Sequence, residues 1–193
     1  MTKVAIDTKS VGFPMPAMPV LLVGADVDGN ANFLTIAWAG VACAEPLMVS
    51  VAIRHGRHTM KGVREGAVFS INVPTVDQAR ETDYCGIVSG AKEDKAKKCS
   101  FSVFYGKVPG APFIRECPVN VACTVHETLD LGTHALVVGR VEETLLSEGC
   151  LTGGRPDAAK IRPLVFVNAP ERIYRELGKP VGEAYRIGKE LAK

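Results

Sequence analysis

The run Arg54-His55-Gly56-Arg57-His58-Thr59 gathers two guanidinium groups, two imidazoles and a hydroxyl around one glycine. It lies between a β-rich run and a segment of helical character. A helix start presents unpaired N–H groups and a partial positive charge, so an anion such as a phosphate is stabilised there. The pattern outlines an anion site; a solvated basic turn with Thr59 as helix cap explains it equally well. Neither a Gly-x-Gly-x-x-Gly dinucleotide turn nor a P-loop occurs in the sequence, so a nucleotide would have to be held by another device. The loop 89–95, Ser-Gly-Ala-Lys-Glu-Asp-Lys, is a second concentration of small and cationic residues; by itself it reads as a wet loop. Trp38 is the sole tryptophan and follows Asn32, Thr35 and Ile36 in a run that is only partly apolar. Its indole is either a core ring or one that stacks on a ligand.

Other chemistries find little support. The histidines His55, His58, His126 and His134 do not have ligand spacing, and no cysteine or carboxylate completes a set beside them, so no metal site is expected. No Gly-x-Ser-x-Gly elbow occurs, and the cysteine and histidine positions carry no nucleophile signature. The six cysteines, Cys43, Cys85, Cys99, Cys117, Cys123 and Cys150, include no Cys-x-x-Cys pair. They are expected to be free thiols in a reducing compartment, Cys43 and Cys123 packing as small hydrophobes.

The elements that would position these groups are mostly strands. Residues 20–25 read as a strand and Asp26-Val27-Asp28-Gly29-Asn30 as the turn that returns it through 31–42. After Pro46 comes a strand over 47–54. Thr59 and Gly66 bound a short helix over 60–65. A strand over 67–73 precedes a helix over 76–85, capped by Thr75 and stopped at Gly86. A Lys-rich loop spans 89–98. In 119–129 apolar odd positions alternate with Asn120, Thr124, His126 and Thr128, predicting one dry and one wet face. Strands over 134–144 and 164–167 follow, and residues 183–191 read as a short helix or an arm. The order lacks the regular strand–helix alternation of a parallel sheet. The fold class is therefore mainly β (α+β), an antiparallel sheet closed or partly closed into a barrel.

The 193 residues, 47% hydrophobic and 23% charged, suit one domain with a buried core rather than disorder. A formal net charge of +2 is too small to make nucleic acid or an anionic membrane the main partner. The first residues lack the basic-then-apolar pattern of a secretory signal, and the apolar runs 19–25 and 33–44 are too short to span a bilayer. A cytoplasmic location is expected.

Asn32-Phe33-Leu34-Thr35-Ile36-Ala37-Trp38, then Pro46-Leu47-Met48-Val49-Ser50-Val51-Ala52-Ile53-Arg54 with His58-Thr59, resembles the core of the flavin reductase-like, FMN-binding split-barrel proteins, the flavoredoxin branch most of all. Tyr84-Cys85-Gly86, Ser89-Gly90, Asp94-Lys95, Gly132-Thr133-His134 and Pro163-Leu164-Val165-Phe166 continue the resemblance in the same order. It implies one domain over 1–193, with a core from Pro16 to Pro170 and a C-terminal arm over 171–193. The implied architecture is a homodimer of six-stranded antiparallel Greek-key split β-barrels with short peripheral helices, holding non-covalent FMN near the interface.

By position, Asn32, Thr35, Ile36, Ala37 and Trp38 would lie along the isoalloxazine and ribityl chain, partly through backbone groups. Ser50, Arg54, His58 and Thr59, with Val51 and Ala52 between the first two, would hold the ribityl and phosphate end. Ser89, Gly90 and Lys95 would close over it, Lys95 being preferred to Lys92 for its pairing with Asp94. His134 and Phe166 would complete the pocket; His55 and Arg57 receive no assigned contact. The flavin performs the electron chemistry in such proteins, so no catalytic side chain is implied, although His134 could tune the reduced ring by a hydrogen bond. The resemblance implies an oxidoreductase passing electrons from NAD(P)H or a reduced protein donor through FMN to an acceptor. The alternatives are an electron carrier with no nucleotide substrate and a split barrel that binds no flavin, holding haem or sensing a ligand.

Overall fold

The computed structural model describes residues 1–7 and 17–192; Pro16, the expected start of the core, lies outside them. After β1 (Met18–Pro19), strands β2 (Leu21–Val27) and β3 (Asn30–Ile36) form a hairpin. Its turn residues Asp28 and Gly29 have φ values of 52° and 79°, the pair of positive angles whose twist suits a two-residue hairpin. Strands β4 (Ala39–Ala44) and β5 (Leu47–Arg54) form a second hairpin, followed by helix α1 (His58–Gly66) and β6 (Val68–Val73). A 3-10 turn, Val76–Gln78, leads into α2 (Ala79–Ile87), and α3 (Lys95–Lys98) closes the next loop. Then come β7 (Val103–Tyr105), β8 (Pro112–Ile114) and the long pair β9 (Val119–Asp130) and β10 (His134–Leu146). The chain continues through β11 (Leu151–Thr152), β12 (Arg155–Pro156), α4 (Ala158–Ile161), β13 (Val165–Val167) and β14 (Ile173–Arg175).

The main sheet has seven antiparallel strands in the order β3-β2-β6-β9-β10-β5-β4. Its two edge strands, β3 and β4, are consecutive in the chain and separated only by Ala37 and Trp38. One bent strand thus pairs with β2 along its first half and with β5 along its second. Counting that bent strand once gives the six that the family resemblance implies. The sheet rolls up without closing, and the result is a split barrel. A smaller sheet, β1-β13-β14, accompanies it.

The barrel interior collects Val23, Leu34, Val51, Ile53, Phe69, Ile71, Cys123 and Val137, with Met60 and Val63 of α1 packed among them. Outside the roll, Leu22 and Phe33 point the other way and pack with Cys85, Ile114 and Cys117. Strands β2 and β3 are therefore dry on both faces. Gly62 sits where α1 crosses β2; a Cβ there would overlap the Asp26 carbonyl.

Several local expectations change. Thr59 does not cap α1: Arg57 occupies that position with no side-chain cap, and Thr59, the second residue of the helix, is fully buried in its first turn. Gly66 belongs to the helix, and Ala67 (φ 52°) makes the left-handed exit. Thr75 caps the 3-10 turn, in a capping box with Gln78, rather than the helix itself. Asn120, expected on a wet face, is buried. It donates to Asn72 Oδ1 (2.8 Å) and to the Ile114 carbonyl (3.0 Å), because β7 and β8 cover that end of β9. Residues 173–175, expected in the arm, pair with β13, and the final 3-10 segment, Ile187–Ala192, starts later than the helix or arm read over 183–191.

Candidate functional site

Strand alternation sorts β5 into two sets. Val51 and Ile53 point into the barrel core and are fully buried, so Ser50, Ala52 and Arg54 face outward. Across the ladder Arg54 pairs with His134 and Ala52 with Leu136. Trp38 stands in the link between β3 and β4, where its carbonyl accepts the Ala52 N–H (2.8 Å). Its ring stays 47% exposed, tilted by 32° against the His134 ring at 4.8 Å; the core alternative for this indole is thereby excluded. Phe166 of β13, with Asn168 and Arg172 from the following turn, faces the same space. The result is a cleft of about 560 Å³ lined by Thr35, Ile36, Ala37, Trp38, Ala52, Arg54, Arg57, His134, Phe166, Asn168 and Arg172. It offers flat apolar and aromatic walls, three guanidinium groups and no carboxylate.

Arg57 also lines a smaller void of about 80 Å³, together with Leu34, Gly56, His58, Thr59, Val88, Ser89, Gly90 and Lys95. This is the N-terminus of α1, whose first turn carries no acidic residue, so its leading N–H groups stay electropositive. Thr59 Oγ1 accepts from Asn32 Nδ2 (2.6 Å), which fixes the hydroxyl at the void's edge. The 89–95 loop folds tightly over it: a Cβ on Gly90 would overlap Asn32 Oδ1 and lie 3.0 Å from His58 Cδ2. Lys95 is 3% exposed and donates to the Cys85 carbonyl (3.2 Å). Burial holds its ammonium below the ordinary lysine range, and Cys85 is the main group that opposes this. No carboxylate contributes, so this is a desolvated cation that a bound anion would satisfy.

His134 is held below the ordinary imidazole range, first by burial and then by Arg54, His55 and Arg57. Its Nδ1 meets the Thr133 hydroxyl (2.8 Å). One ring nitrogen is thus engaged by its neighbour, and both burial and the nearby guanidinium groups disfavour a second proton.

Of the residues expected at the site, Thr35, Ile36, Ala37, Trp38, Ala52, Arg54, His134 and Phe166 meet in the larger cleft, and His58, Thr59, Ser89, Gly90 and Lys95 in the void. Three fall elsewhere. Val51 reaches neither space with its side chain, because strand period two turns it into the core. Ser50, expected at the phosphate end, lies two residues the other way, in an apolar cavity beyond Trp38. Asn32 supports Thr59 at the void rather than flanking the aromatic cleft. Lys92 borders an adjoining depression with Asp28 and Glu93, which shares His58, Gly90 and Lys95 with the void, and His55 is engaged by Asp130 (3.1 Å) and Arg64 (2.9 Å).

The sequence reading missed Arg57 as the residue common to both spaces, as well as Asn168 and Arg172. The basic turn carried a signal for Arg57. The other two are brought in by the β13–β14 turn, which no local pattern announced. Among the described residues, no cluster of His, Cys, Asp or Glu is arranged to hold a metal ion, no helix is long and apolar enough to cross a membrane, and the six cysteines are unpaired.

A rolled seven-stranded antiparallel sheet with an aromatic cleft beside a basic helix start defines a split-barrel class of protein. Residues 15–171 match the family model described as Flavin reductase like domain, and the chain belongs to that family. Among solved structures it is similar to a flavoredoxin from Methanosarcina acetivorans, 37% identical over 99% of this chain and 100% of that one, with a TM-score of 0.93. A flavoredoxin of Desulfovibrio vulgaris (Miyazaki F) is 28% identical, covering 97% of this chain and 100% of that one, with a TM-score of 0.87. An uncharacterized protein of Pyrococcus abyssi is 30% identical over 83% of this chain and 94% of its own length.

Proposed function

We propose that this chain is an FMN-dependent redox protein that takes electrons from NAD(P)H or a reduced protein donor and passes them to an acceptor. The observation that carries the reading is the shared wall at Arg57. There the aromatic cleft of about 560 Å³ meets the basic void of about 80 Å³ at the start of α1. A flat amphipathic ring suits the first space and a phosphate dianion the second. FMN, held this way, supplies the electron chemistry. The protein contributes position and charge: Arg57, Lys95 and the α1 amides neutralise the phosphate, Thr59 and Ser89 offer hydroxyls, and Trp38, Phe166 and His134 border the ring.

The likeness to two flavoredoxins supports a second reading of the same site, an electron carrier with no nucleotide substrate of its own. In either reading the protein works as a homodimer. The support is the edge strand β4, Ala-Gly-Val-Ala-Cys-Ala, which carries no charge, with Val41 74% and neighbouring Leu47 46% exposed. An uncharged open edge of this kind is ordinarily covered. The proposed setting is cytoplasmic, where the six thiols stay reduced.

The experiment is an absorption spectrum of the purified protein, followed by FMN titration and anaerobic addition of NADH. Flavin bands and stoichiometric FMN uptake are expected. Rapid bleaching by NADH selects the oxidoreductase, and a colour that persists until a reduced protein partner is added selects the carrier. A protein that stays colourless after incubation with FMN refutes both.

A further inference from the structure

Two thiols that the flavin reading does not use lie together beside Lys95. Cys85 is fully buried near the end of α2, and Cys99 caps the C-terminus of α3. Cys99 packs on the apolar cluster that holds Cys85. Its Sγ donates to the Glu81 carbonyl (3.8 Å), one helical turn before Cys85, and the two thiols are hydrogen-bonded to each other. Lys95 is tied to both residues: its ammonium donates to the Cys85 carbonyl (3.2 Å), and its own carbonyl accepts the Cys99 N–H (3.0 Å). The two thiols differ in access. Cys99 lines an open cavity of about 580 Å³, with Arg80, Glu81, Asp83 and Lys98 around it, whereas Cys85 has no solvent contact. A third thiol of the cluster, Cys117, is nearly as buried as Cys85 and is engaged by Gln78 (3.8 Å).

We propose that Cys85 and Cys99 form a reversible disulfide by exchange with a small soluble disulfide, and that this bond loosens the hold of Lys95 on a bound anion. Cys99, the accessible partner, attacks as thiolate on one sulfur of the incoming disulfide, giving a mixed disulfide and releasing one thiol. Cys85 then gives up its proton and attacks Cys99 Sγ, and the second thiol leaves. The protein loses two electrons and two protons, which the small disulfide carries away as two thiols. The size and mixed charge of the cavity suit a peptide disulfide such as oxidised glutathione, which bears both ammonium and carboxylate groups. Burial pushes both thiols up, Cys85 to about 12, and Lys95 opposes this in each, so the resting pair is protonated and exchanges slowly. In a reducing compartment such a bond records sustained oxidation and does not brace the fold. Bringing two hydrogen-bonded sulfurs to covalent distance draws the end of α3 toward α2. Helix α3 is four residues long, so Lys95 at its other end moves with it. The effect on a bound phosphate rests on the flavin reading above; the disulfide itself does not.

The test equilibrates the flavin-free full chain with mixtures of oxidised and reduced glutathione, alkylates the remaining thiols and maps the bonds by peptide mass spectrometry. A Cys85–Cys99 bond that dithiothreitol reverses is expected; Cys99→Ser should abolish it and Cys150→Ser should not. Cys85→Ala, checked by thermal melting for a folded product, should stop at the glutathione adduct of Cys99. FMN titration of both forms then reads the coupling. The oxidised form should bind FMN at least fivefold more weakly, and saturating FMN should disfavour the bond by the same factor. Reduced Cys99→Ser should keep FMN affinity within twofold of the reduced wild type and lose its response to glutathione. Absence of any intramolecular bond in the most oxidised mixture, or a bond that joins Cys85 to Cys117, overturns the proposal. An oxidised form that binds FMN as tightly as the reduced one overturns the effect on Lys95. Failure of FMN to bind either form refutes the flavin reading alone, because the peptide map still judges the disulfide.

Discussion

Lys95 offers a prediction in which affinity and stability move in opposite directions. Its ammonium is 3% exposed, donates to one backbone carbonyl and is held below the ordinary lysine range by burial. In the flavin-free protein the charge is a burden. A folded-state pKa below the unfolded one means that the native state binds fewer protons in that window, so this residue's contribution improves as pH rises and is unfavourable at neutral pH. Lys95→Met keeps the aliphatic stem and removes the charge, and should leave the flavin-free protein as stable as before or up to about 1 kcal/mol more stable. A hydrogen bond to a charged group contributes about 1.5–3 kcal/mol. Losing it at the phosphate should weaken FMN roughly ten- to a hundredfold. At a concentration 100 times the wild-type dissociation constant, FMN stabilises the wild type by about 2.7 kcal/mol and the variant by about 0.4–1.4 kcal/mol. Urea denaturation with and without FMN, beside a flavin titration, measures all of these. FMN affinity within twofold of wild type would show that the phosphate is held elsewhere. A flavin-free variant destabilised by well over about 1 kcal/mol would show that the bond to the Cys85 carbonyl outweighs the desolvation.

Other outcomes follow from the same structure. Thr59→Ala should weaken FMN retention and Arg54→Ala should do so too, the first by removing the hydroxyl that Asn32 fixes and the second by removing a guanidinium from the cleft; unchanged dissociation constants in both would refute the site. In an NMR titration His134 should lose its proton below the ordinary imidazole midpoint and shift only part of the way back in Arg54→Ala, because burial outranks the arginine. Its depressed pKa means that the stability it contributes is present above the unfolded value and lost as pH falls through the folded one. Gly139→Ala places a Cβ against the Phe69 ring and 2.9 Å from Cys123 Cβ in the barrel core, and should cost about 1–3 kcal/mol in denaturant unfolding. Asn72→Ala leaves the Ile114 N–H and the Asn120 amide without their buried acceptor; a loss of roughly 2–5 kcal/mol is expected from two unmet donors, and a loss under about 1 kcal/mol would mean water replaces them.

By itself the sequence determined the features that local chemistry controls. Asp28-Gly29 made the hairpin turn, apolar runs of strand length made β2, β5 and β6, and the lack of strand–helix alternation excluded a parallel sheet. The basic turn before α1 was legible as an anion site because helix starts have the same unpaired amides wherever they occur. Tertiary structure decided what each residue faces. Thr59, a plausible cap by pattern, became a buried acceptor for Asn32, since α1 packs inside the roll and the loop of Gly90 covers its start. Asn120, polar in an alternating strand, turned inward because β7 and β8 cover that face and Asn72 meets it. Val51 and Ser50 stand side by side in the chain, yet one enters the core and the other the cavity beyond Trp38, because strand pairing fixes the face that each presents. Arg172 and Asn168 reached the cleft only through a hairpin formed more than a hundred residues after the strands it overlies, and long-range contacts of that kind leave no mark on neighbouring sequence.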